Sequence, residues 1–122
     1  MTGESIEIGP KGLSLEELES VAHGAAIGLT RPVEQRVAES HERLTRCIED
    51  EQLIYGVNTG YGPLADTLVG RNYAEELQEN LIAHLSSGVG AALSRTHTRA
   101  TMAARVSALA KGKSGVSPAA VD

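Results

Sequence analysis

The sequence predicts a mainly α-helical domain with a short β-strand near its N-terminus and a glycine-rich loop that carries tyrosines. Four stretches place apolar residues at helical spacing next to recognisable helix start or stop signals. Hydrophobic residues make up 41% of the 122-residue chain, whereas aromatic residues make up only 2%. A core of this composition must come from Leu, Ile, Val and Ala, which suits close helix–helix packing. We therefore predict a single domain over residues 1–122.

The first predicted elements are a strand and a short helix. Ile6 and Ile8 alternate with acidic residues before a Gly-Pro break, which is typical of a short strand followed by a turn. Ser14 and Glu17 form a capping-box pattern that predicts the start of a helix, and Gly24 is a suitable end. One face of this helix carries its apolar residues, Leu15, Leu18, Val21 and Ala22.

A second, longer helix is predicted from Pro32 to Asp50. Proline suits the first helical turn because its missing N–H has no partner there in any case. The apolar residues of this stretch recur at helical spacing, at Val33, Val37, Leu44 and Ile48. A loop over residues 53–65 follows, and we expect a short strand at its start, in LIYGV.

Two more helices are predicted after this loop. The stretch GRNYAEELQENLIAHLSSGVG ends at Ser87 and Gly88 and has one apolar face, made of Tyr73, Leu77, Leu81, His84 and Leu85. The stretch SRTHTRATMAARVSALAKG points Met102, Val106 and Leu109 inward, with Gly112 as its C-terminal stop. Ser117 and Pro118 then form a helix-start signal close to Asp122, which is read either as a frayed tail or as the front of a longer architecture.

The charge balance and cysteine content exclude several classes of function. The net charge is −5 and no cluster of Lys and Arg dominates, which argues against nucleic acid and anionic membranes as partners. Cys47 is the only cysteine, so no intrachain disulfide framework and no thiolate metal cluster is expected. We expect a cytoplasmic protein, since the sequence shows neither a signal-peptide pattern nor an apolar run of about 18 residues.

The stretch LIYGVNTGYGPLA, residues 53–65, holds two of the three tyrosines in the chain. Its tyrosines stand among residues that break regular structure, Gly56, Gly60, Gly62 and Pro63. Such glycines let the backbone approach a ligand closely. A phenol becomes an effective proton acceptor when its surroundings favour the phenolate. Tyr55 is thus either a candidate acid/base or a half-buried residue that precedes a structural turn.

Other polar residues of this region have simpler interpretations. GVNTGYG lacks the Lys-Ser/Thr of a phosphate loop, so Asn58 and Thr59 are expected to brace the loop backbone with their side chains. His84 is either a hydrogen-bonded core histidine or a residue that points into a pocket and binds a polar substrate group. The four histidines show no metal-ligand spacing, so no metal site is predicted.

Three segments together resemble a known family. YGVNTGYGPLA, LQENLIAHLSSGVG and RATMAARVSALAKGKSGV occur in this order and cover most of the chain. They resemble the N-terminal part of the aromatic amino acid ammonia-lyases and aminomutases, which act on histidine, phenylalanine or tyrosine. The resemblance implies a mostly helical fold and an electrophilic methylidene-imidazolone cofactor (MIO) that forms from an internal Ala-Ser-Gly triad.

The resemblance also implies roles for particular residues. Tyr55 would remove the β-proton of the substrate, with Gly56, Asn58, Thr59 and Gly60 supporting its loop. His84, Leu85 and Gly62 would contact the substrate, and a histidine at this position resembles the tyrosine-selective members. Tyr61 stands where the family usually has phenylalanine.

The chain has no Ala-Ser-Gly triad, and members of the family are several times longer. We therefore expect no cofactor within this chain and an incomplete site on its own. The main hypothesis is a small subunit of a split ammonia-lyase-like enzyme, in a tetramer-based hetero-oligomer with a larger lyase-like chain that supplies MIO. Two alternatives are an MIO-free enzyme that performs dehydration or cyclisation, and a non-catalytic assembly module or fragment.

Overall fold

The computed structural model describes residues 5–122, with only the backbone of Arg71, and it is mainly helical. The order of elements is β1 (Ser5–Ile8), α1 (Leu15–Ala22), β2 (Ala26–Leu29), α2 (Arg31–Glu49), α3 (Arg71–Leu85) and α4 (Arg95–Leu109). Short 3-10 turns occupy Gly62–Leu64 and Pro118–Ala120. The predicted fold class is confirmed. No helix in this part of the chain is long and apolar enough to cross a membrane.

The chain divides into two compact units. The sheet unit consists of residues up to 44 together with residues 92–122, and the loop unit consists of residues 45–91. Each unit has its own pattern of burial, described below. The assignment of residues 1–122 to a single domain stays a prediction.

The sheet unit is built on a β–α–β arrangement. β1 and β2 pair in parallel, with Ser5 opposite Ala26 and Ile8 opposite Leu29. α1 connects the two strands, and its predicted capping box is present: the Ser14 hydroxyl accepts from Glu17 N–H and the Glu17 carboxylate accepts from Ser14 N–H. This arrangement satisfies two of the N–H groups that the first turn of a helix leaves without partners.

The start of α1 also perturbs one carboxyl group. The pKa of Glu16 is lowered, because a backbone N–H and then the Ser14 hydroxyl bond to its carboxylate. A lowered pKa in the folded state stabilises the fold above the unfolded-state pKa. That contribution is lost as the pH falls through the folded-state value.

The core of the sheet unit lies between β1, α2 and the C-terminal part of α4. Ile8 and Val33 are fully buried and pack with Ala110, while Val37 packs with Leu109 and Val121 in an adjoining cluster. Polar contacts connect the same elements. The Arg99 guanidinium donates to Val21 O in the last turn of α1 at 2.8 Å and to Ala25 O in the segment between α1 and β2 at 2.7 Å.

The turn after α4 brings its backbone against α2. Gly112 has φ +62°, and a Cβ there would stand 2.5 Å from Arg36 Cγ and 2.9 Å from Arg36 O. Three residues later, Gly115 N–H donates to Ser40 Oγ and Gly115 O lies 2.9 Å from His41 Nδ1. Glycine is required at position 112 by both its backbone angle and this close approach.

Three details of the sheet unit differ from the sequence-based expectation. β2 was not predicted, because AIGL is only four residues long and has no polar–apolar alternation to mark it as a strand. Met102 is 64% exposed and does not point into the core, whereas Ala103, one position further along α4, is buried. Leu15 is 80% exposed although it shares a face of α1 with buried Val21.

The loop unit begins within the last turns of α2, which ends at Glu49. Glu51 adopts φ +54°, its N–H bonds to Ile48 O, and Gln52 N–H bonds to Cys47 O. These are the two hydrogen bonds of a Schellman motif, in which the left-handed residue is usually glycine. This motif ends the helix and leads the chain into residues 53–65, which we call the tyrosine loop.

The predicted strand at LIYGV is wrong, because this segment forms a turn. Val57 N–H and Asn58 N–H both bond back to Ile54 O, which closes the backbone on itself. Only an isolated bridge between Thr59 and Leu68 remains of any sheet pairing in this part of the loop unit. Local hydrogen bonds thus compete successfully with a strand.

The helix of the loop unit, α3, confirms the predicted segment but ends at Leu85, with Ser86 as its C-cap. None of the described hydrophobic side chains between residues 45 and 91 is fully buried. Leu77 and Leu81 are half-buried, whereas Tyr73, His84 and Leu85 are exposed. The apolar face predicted for this helix is therefore only partly covered within its own unit.

We predict that the stability of the sheet unit depends on Val33 and not on Leu15. Val33→Ala should lower the free energy of unfolding by about 2 kcal/mol, because it leaves a cavity in a closed core. Leu15→Ala removes more atoms but should change it by less than about 0.5 kcal/mol, because they are already in water. Urea unfolding followed by circular dichroism measures both, and equal effects would contradict the packing described here.

Candidate functional site

The tyrosine loop is held from inside by the side chain of Asn58. The Asn58 carboxamide oxygen accepts from Ile54 N–H at 2.8 Å, and its NH₂ group donates to Gln52 O at 2.8 Å. Asn58 is 4% exposed, so both halves of its amide work away from bulk water. A buried amide bound at both ends fixes the backbone that leads into Tyr55.

Thr59 holds the backbone on the other side of Tyr55. Its hydroxyl accepts from Gly56 N–H at 3.1 Å and donates to Gly60 O at 2.9 Å. Thr59 is fully buried. The N–H groups of Ile54 and Gly56, which flank Tyr55 in sequence, are therefore both bonded to buried side chains, as the sequence predicted for bracing residues.

The carbonyl of Gly56 is a second fixed point. It accepts from Gln78 Nε2 at 3.0 Å and from the Tyr61 hydroxyl at 3.3 Å. Gln78 Nε2 also lies 3.3 Å from Val57 O. Gly56 itself has φ +74°, a backbone angle that a residue with a Cβ rarely adopts.

The phenol of Tyr55 remains accessible on this fixed backbone. Tyr55 is 65% exposed, and its ring stands edge-to-face with that of Tyr61 at a centroid distance of 6.2 Å. Gly62 N–H is directed at the Tyr55 hydroxyl oxygen from 3.5 Å, the long limit of a hydrogen bond. The loop thus presents a polar hydroxyl to its surroundings, while the backbone N–H groups on either side of Tyr55 are bonded to buried side chains.

Gly60 is required by packing. A Cβ at Gly60 would come within 2.6 Å of Leu64 Cβ and 2.8 Å of Leu64 O, where the chain folds back in a 3-10 turn. Backbone atoms cannot move away as a flexible side chain can.

The structure brings together six of the predicted site residues in one loop: Tyr55, Gly56, Asn58, Thr59, Gly60 and Gly62.

The two remaining predicted site residues lie elsewhere in the loop unit. His84 and Leu85 are on the last turn of α3, and both are exposed. No hydrogen bond joins either of them to Tyr55 in the described structure. His84 is therefore not a buried core histidine within the loop unit.

Gln78 was not predicted to be a site residue from the sequence. It lies on α3 among the half-buried residues Ala74, Leu77 and Leu81. A polar side chain on the partly buried face of an amphipathic helix must find a partner, which was the signal available in the sequence.

The sheet unit has a separate apolar groove of about 460 Å³. Met102 lines it together with Ile27, Leu29 and Val106, which accounts for the outward position of the methionine. None of the predicted site residues lines this groove. Among residues 5–122, no group of three or more His, Cys, Asp or Glu side chains is placed to hold a metal ion.

Comparison with known proteins agrees with this architecture. Residues 13–122 match the family model for aromatic amino acid lyases. Bovine histidine ammonia-lyase is 42% identical over 106 residues, which cover 86% of this chain and 16% of that protein. Tyrosine ammonia-lyase from Cereibacter sphaeroides is 41% identical over 106 residues, or 86% of this chain and 20% of that protein.

A solved structure supports the same relationship. Tyrosine aminomutase from Streptomyces globisporus superposes with a TM-score of 0.90 at 32% identity, over 97% of this chain and 23% of that chain. This chain belongs to the aromatic amino acid lyase family. It spans about a fifth of the length of these relatives.

The family's MIO cofactor does not fit the residues of this chain. The group forms from an Ala-Ser-Gly triad, and the only Ser-Gly pairs here are preceded by Ser86 and Lys113, as SSG and KSG.

We predict that the Thr59 hydroxyl maintains the loop around Tyr55. Thr59→Val keeps the shape of the side chain but leaves Gly56 N–H without a partner. The free energy of local opening of the loop should fall by about 1–3 kcal/mol. Hydrogen exchange at the Gly56 amide should accelerate by about fivefold or more. Thr59→Ser retains the hydroxyl and should protect the amide nearly as well as Thr59 does, so equal exchange in both variants would contradict this role.

Proposed function

We propose that this chain supplies the acid/base loop of an ammonia-lyase-like enzyme, with Tyr55 as the residue that moves the proton. The observation that carries the proposal is an exposed phenol between two backbone N–H groups that are bonded to buried side chains. An acid/base group must be held within a narrow range of positions relative to the proton it removes. Membership of the aromatic amino acid lyase family supports the same reaction class.

The proposed reaction is a β-elimination of ammonia from an aromatic amino acid. The deprotonated oxygen of Tyr55 takes a proton from the β-carbon, and the C–H electron pair forms the new C=C bond. The bond between the α-carbon and the ammonium nitrogen of the substrate breaks, and its electron pair leaves with the nitrogen as neutral ammonia. Tyr55 carries the proton away and must return it to solvent or product before the next turnover.

We infer the substrate class from two side chains on the last turn of α3. His84 and Leu85 offer an imidazole and an aliphatic group on the exposed last turn of α3, which together suit a ring that bears a polar substituent. We infer a tyrosine-like substrate, with the Gly62 backbone also at the substrate. The relatives include enzymes named for histidine and for tyrosine at 42% and 41% identity, so the preference rests on His84 and not on overall similarity.

A second chain is part of the proposal. The loop unit leaves many large apolar side chains exposed: Leu53, Tyr55, Leu64, Leu68, Tyr73, Ile82, Leu85 and Val89. A helix that buries no hydrophobic side chain gains little stability from packing and needs another surface to cover it. We propose that a larger lyase-like chain covers this surface in a tetramer-based hetero-oligomer and supplies MIO. The chain described here is then inactive alone.

We predict that the loop unit associates with a chain that carries the remainder of the lyase fold. Co-expression with such a chain, encoded beside this one, should yield a complex in gel filtration and slow the hydrogen exchange of α3, because its exposed apolar face becomes buried.

Ile82→Asp is the matched disruption, because it places a charge on this exposed surface. It should weaken association by about tenfold or more. Leu15→Asp, which places the same charge at an exposed leucine of the sheet unit, should not weaken it. Separate elution of the two chains, with unchanged exchange in α3, would favour a non-catalytic fragment.

We predict that Tyr55→Phe lowers kcat of the assembled enzyme by about 10²-fold or more, since it removes only the oxygen that accepts the proton. Gel filtration should show intact assembly. Tyr73→Phe is the control, because it removes an equally exposed phenol on α3.

Product analysis by mass spectrometry distinguishes the reaction types. Release of ammonia and an unsaturated acid supports the lyase reaction, whereas loss of water or ring closure supports the MIO-free alternative. Full activity of Tyr55→Phe would exclude Tyr55 as the base.

A further inference from the structure

We infer that Gln78 is a positioning residue that attaches the Tyr55 side of the loop to α3. The catalytic consequence of this inference rests on the proposed function, whereas the attachment itself does not. Gln78 is half-buried at the middle of α3, and its single NH₂ group reaches two consecutive carbonyls, Gly56 O at 3.0 Å and Val57 O at 3.3 Å. Gly56 directly follows Tyr55 in the chain.

The other side-chain bonds around Tyr55 have a different effect. Asn58, Thr59 and Tyr61 belong to the loop themselves, and their bonds run to residues 52–60. Such bonds give the loop its shape but leave it free to tilt as a unit. Backbone hydrogen bonds join the loop to the segment before α3 only at Asn58 O and Gly60 N–H, which bond to Val69 and Thr67. Gln78 instead bonds to the carbonyls of the two residues that directly follow Tyr55.

The chemistry of the side chain suits this position closely. A primary amide carries two N–H bonds on one nitrogen, so it can donate to two carbonyls at once. Glutamate has the same shape but only acceptor oxygens, which would face two carbonyl oxygens. Methionine has a similar length and no donor. The two hydrogen bonds therefore require glutamine and not only a side chain of its size.

The attachment also constrains where the loop lies relative to the proposed substrate contacts on α3. α3 carries Gln78 at its middle and His84 and Leu85 at its last turn. Gln78 therefore bonds the loop that carries the proposed base to the same helix that carries the proposed substrate contacts. A shift of about 1 Å in a catalytic group can cost about 10²-fold in rate. Gln78 need not contact the substrate to affect turnover.

The first test measures loop order in the chain by hydrogen exchange. In Gln78→Glu and Gln78→Met, the Gly56, Val57 and Asn58 amides should exchange about tenfold faster, because the loop can leave the helix. The two variants separate loss of the donor from gain of a charge. Gln35→Glu makes the same substitution at an exposed position of α2 and should leave these amides unchanged. Unchanged exchange in both Gln78 variants would overturn the attachment.

The second test uses the assembled enzyme. Gln78→Met should lower kcat by about 10-fold to 10²-fold and change KM by less than about twofold, because the substrate contacts are intact and the base is misplaced. A merely structural role would lower the yield of complex and leave kcat per complex unchanged, and that result would overturn the positioning role. Full turnover by Tyr55→Phe would instead show that the proposed function has failed, while the exchange result on Gln78 would stand.

Discussion

The structure of the loop unit depends on two buried polar side chains, those of Asn58 and Thr59. A segment with three glycines has high conformational entropy when unfolded, and none of its hydrophobic side chains is fully buried to offset that cost. The carboxamide of Asn58 and the hydroxyl of Thr59 instead satisfy the backbone groups on either side of Tyr55. Because these bonds are shielded from water, breaking one leaves an unpaired group at a cost of about 1–3 kcal/mol.

The two units of the chain are stabilised in different ways. The sheet unit has a closed apolar core around Ile8, Val33 and Val37, and its polar contacts connect elements that this core already brings together. The loop unit has no fully buried hydrophobic side chain among those described and relies on local hydrogen bonds. A unit of the second kind leaves apolar surface exposed on α3, and this is the surface that the proposed partner chain would cover.

Much of this architecture was predictable from the sequence. The capping box at Ser14 and Glu17 and the proline at the start of α2 are local signals, and the helices they mark are present. The roles of Asn58 and Thr59 as bracing residues were also predictable, because short polar side chains beside glycines bond to nearby backbone. The strand expected at LIYGV was not formed, since propensity for a strand means little where no second strand pairs with it.

By itself the sequence determined the helices, the tyrosine loop and the family, because each depends on residues close together in the chain or on a specific motif. The tertiary structure decided which side chains meet. β2 exists because its backbone pairs with β1, Met102 faces a groove because Ala103 takes the buried position on α4, and Gln78 bonds to carbonyls 21 and 22 residues away. Contacts of this kind depend on how helices and strands are oriented against one another. The spacing of residues along the sequence does not specify that orientation.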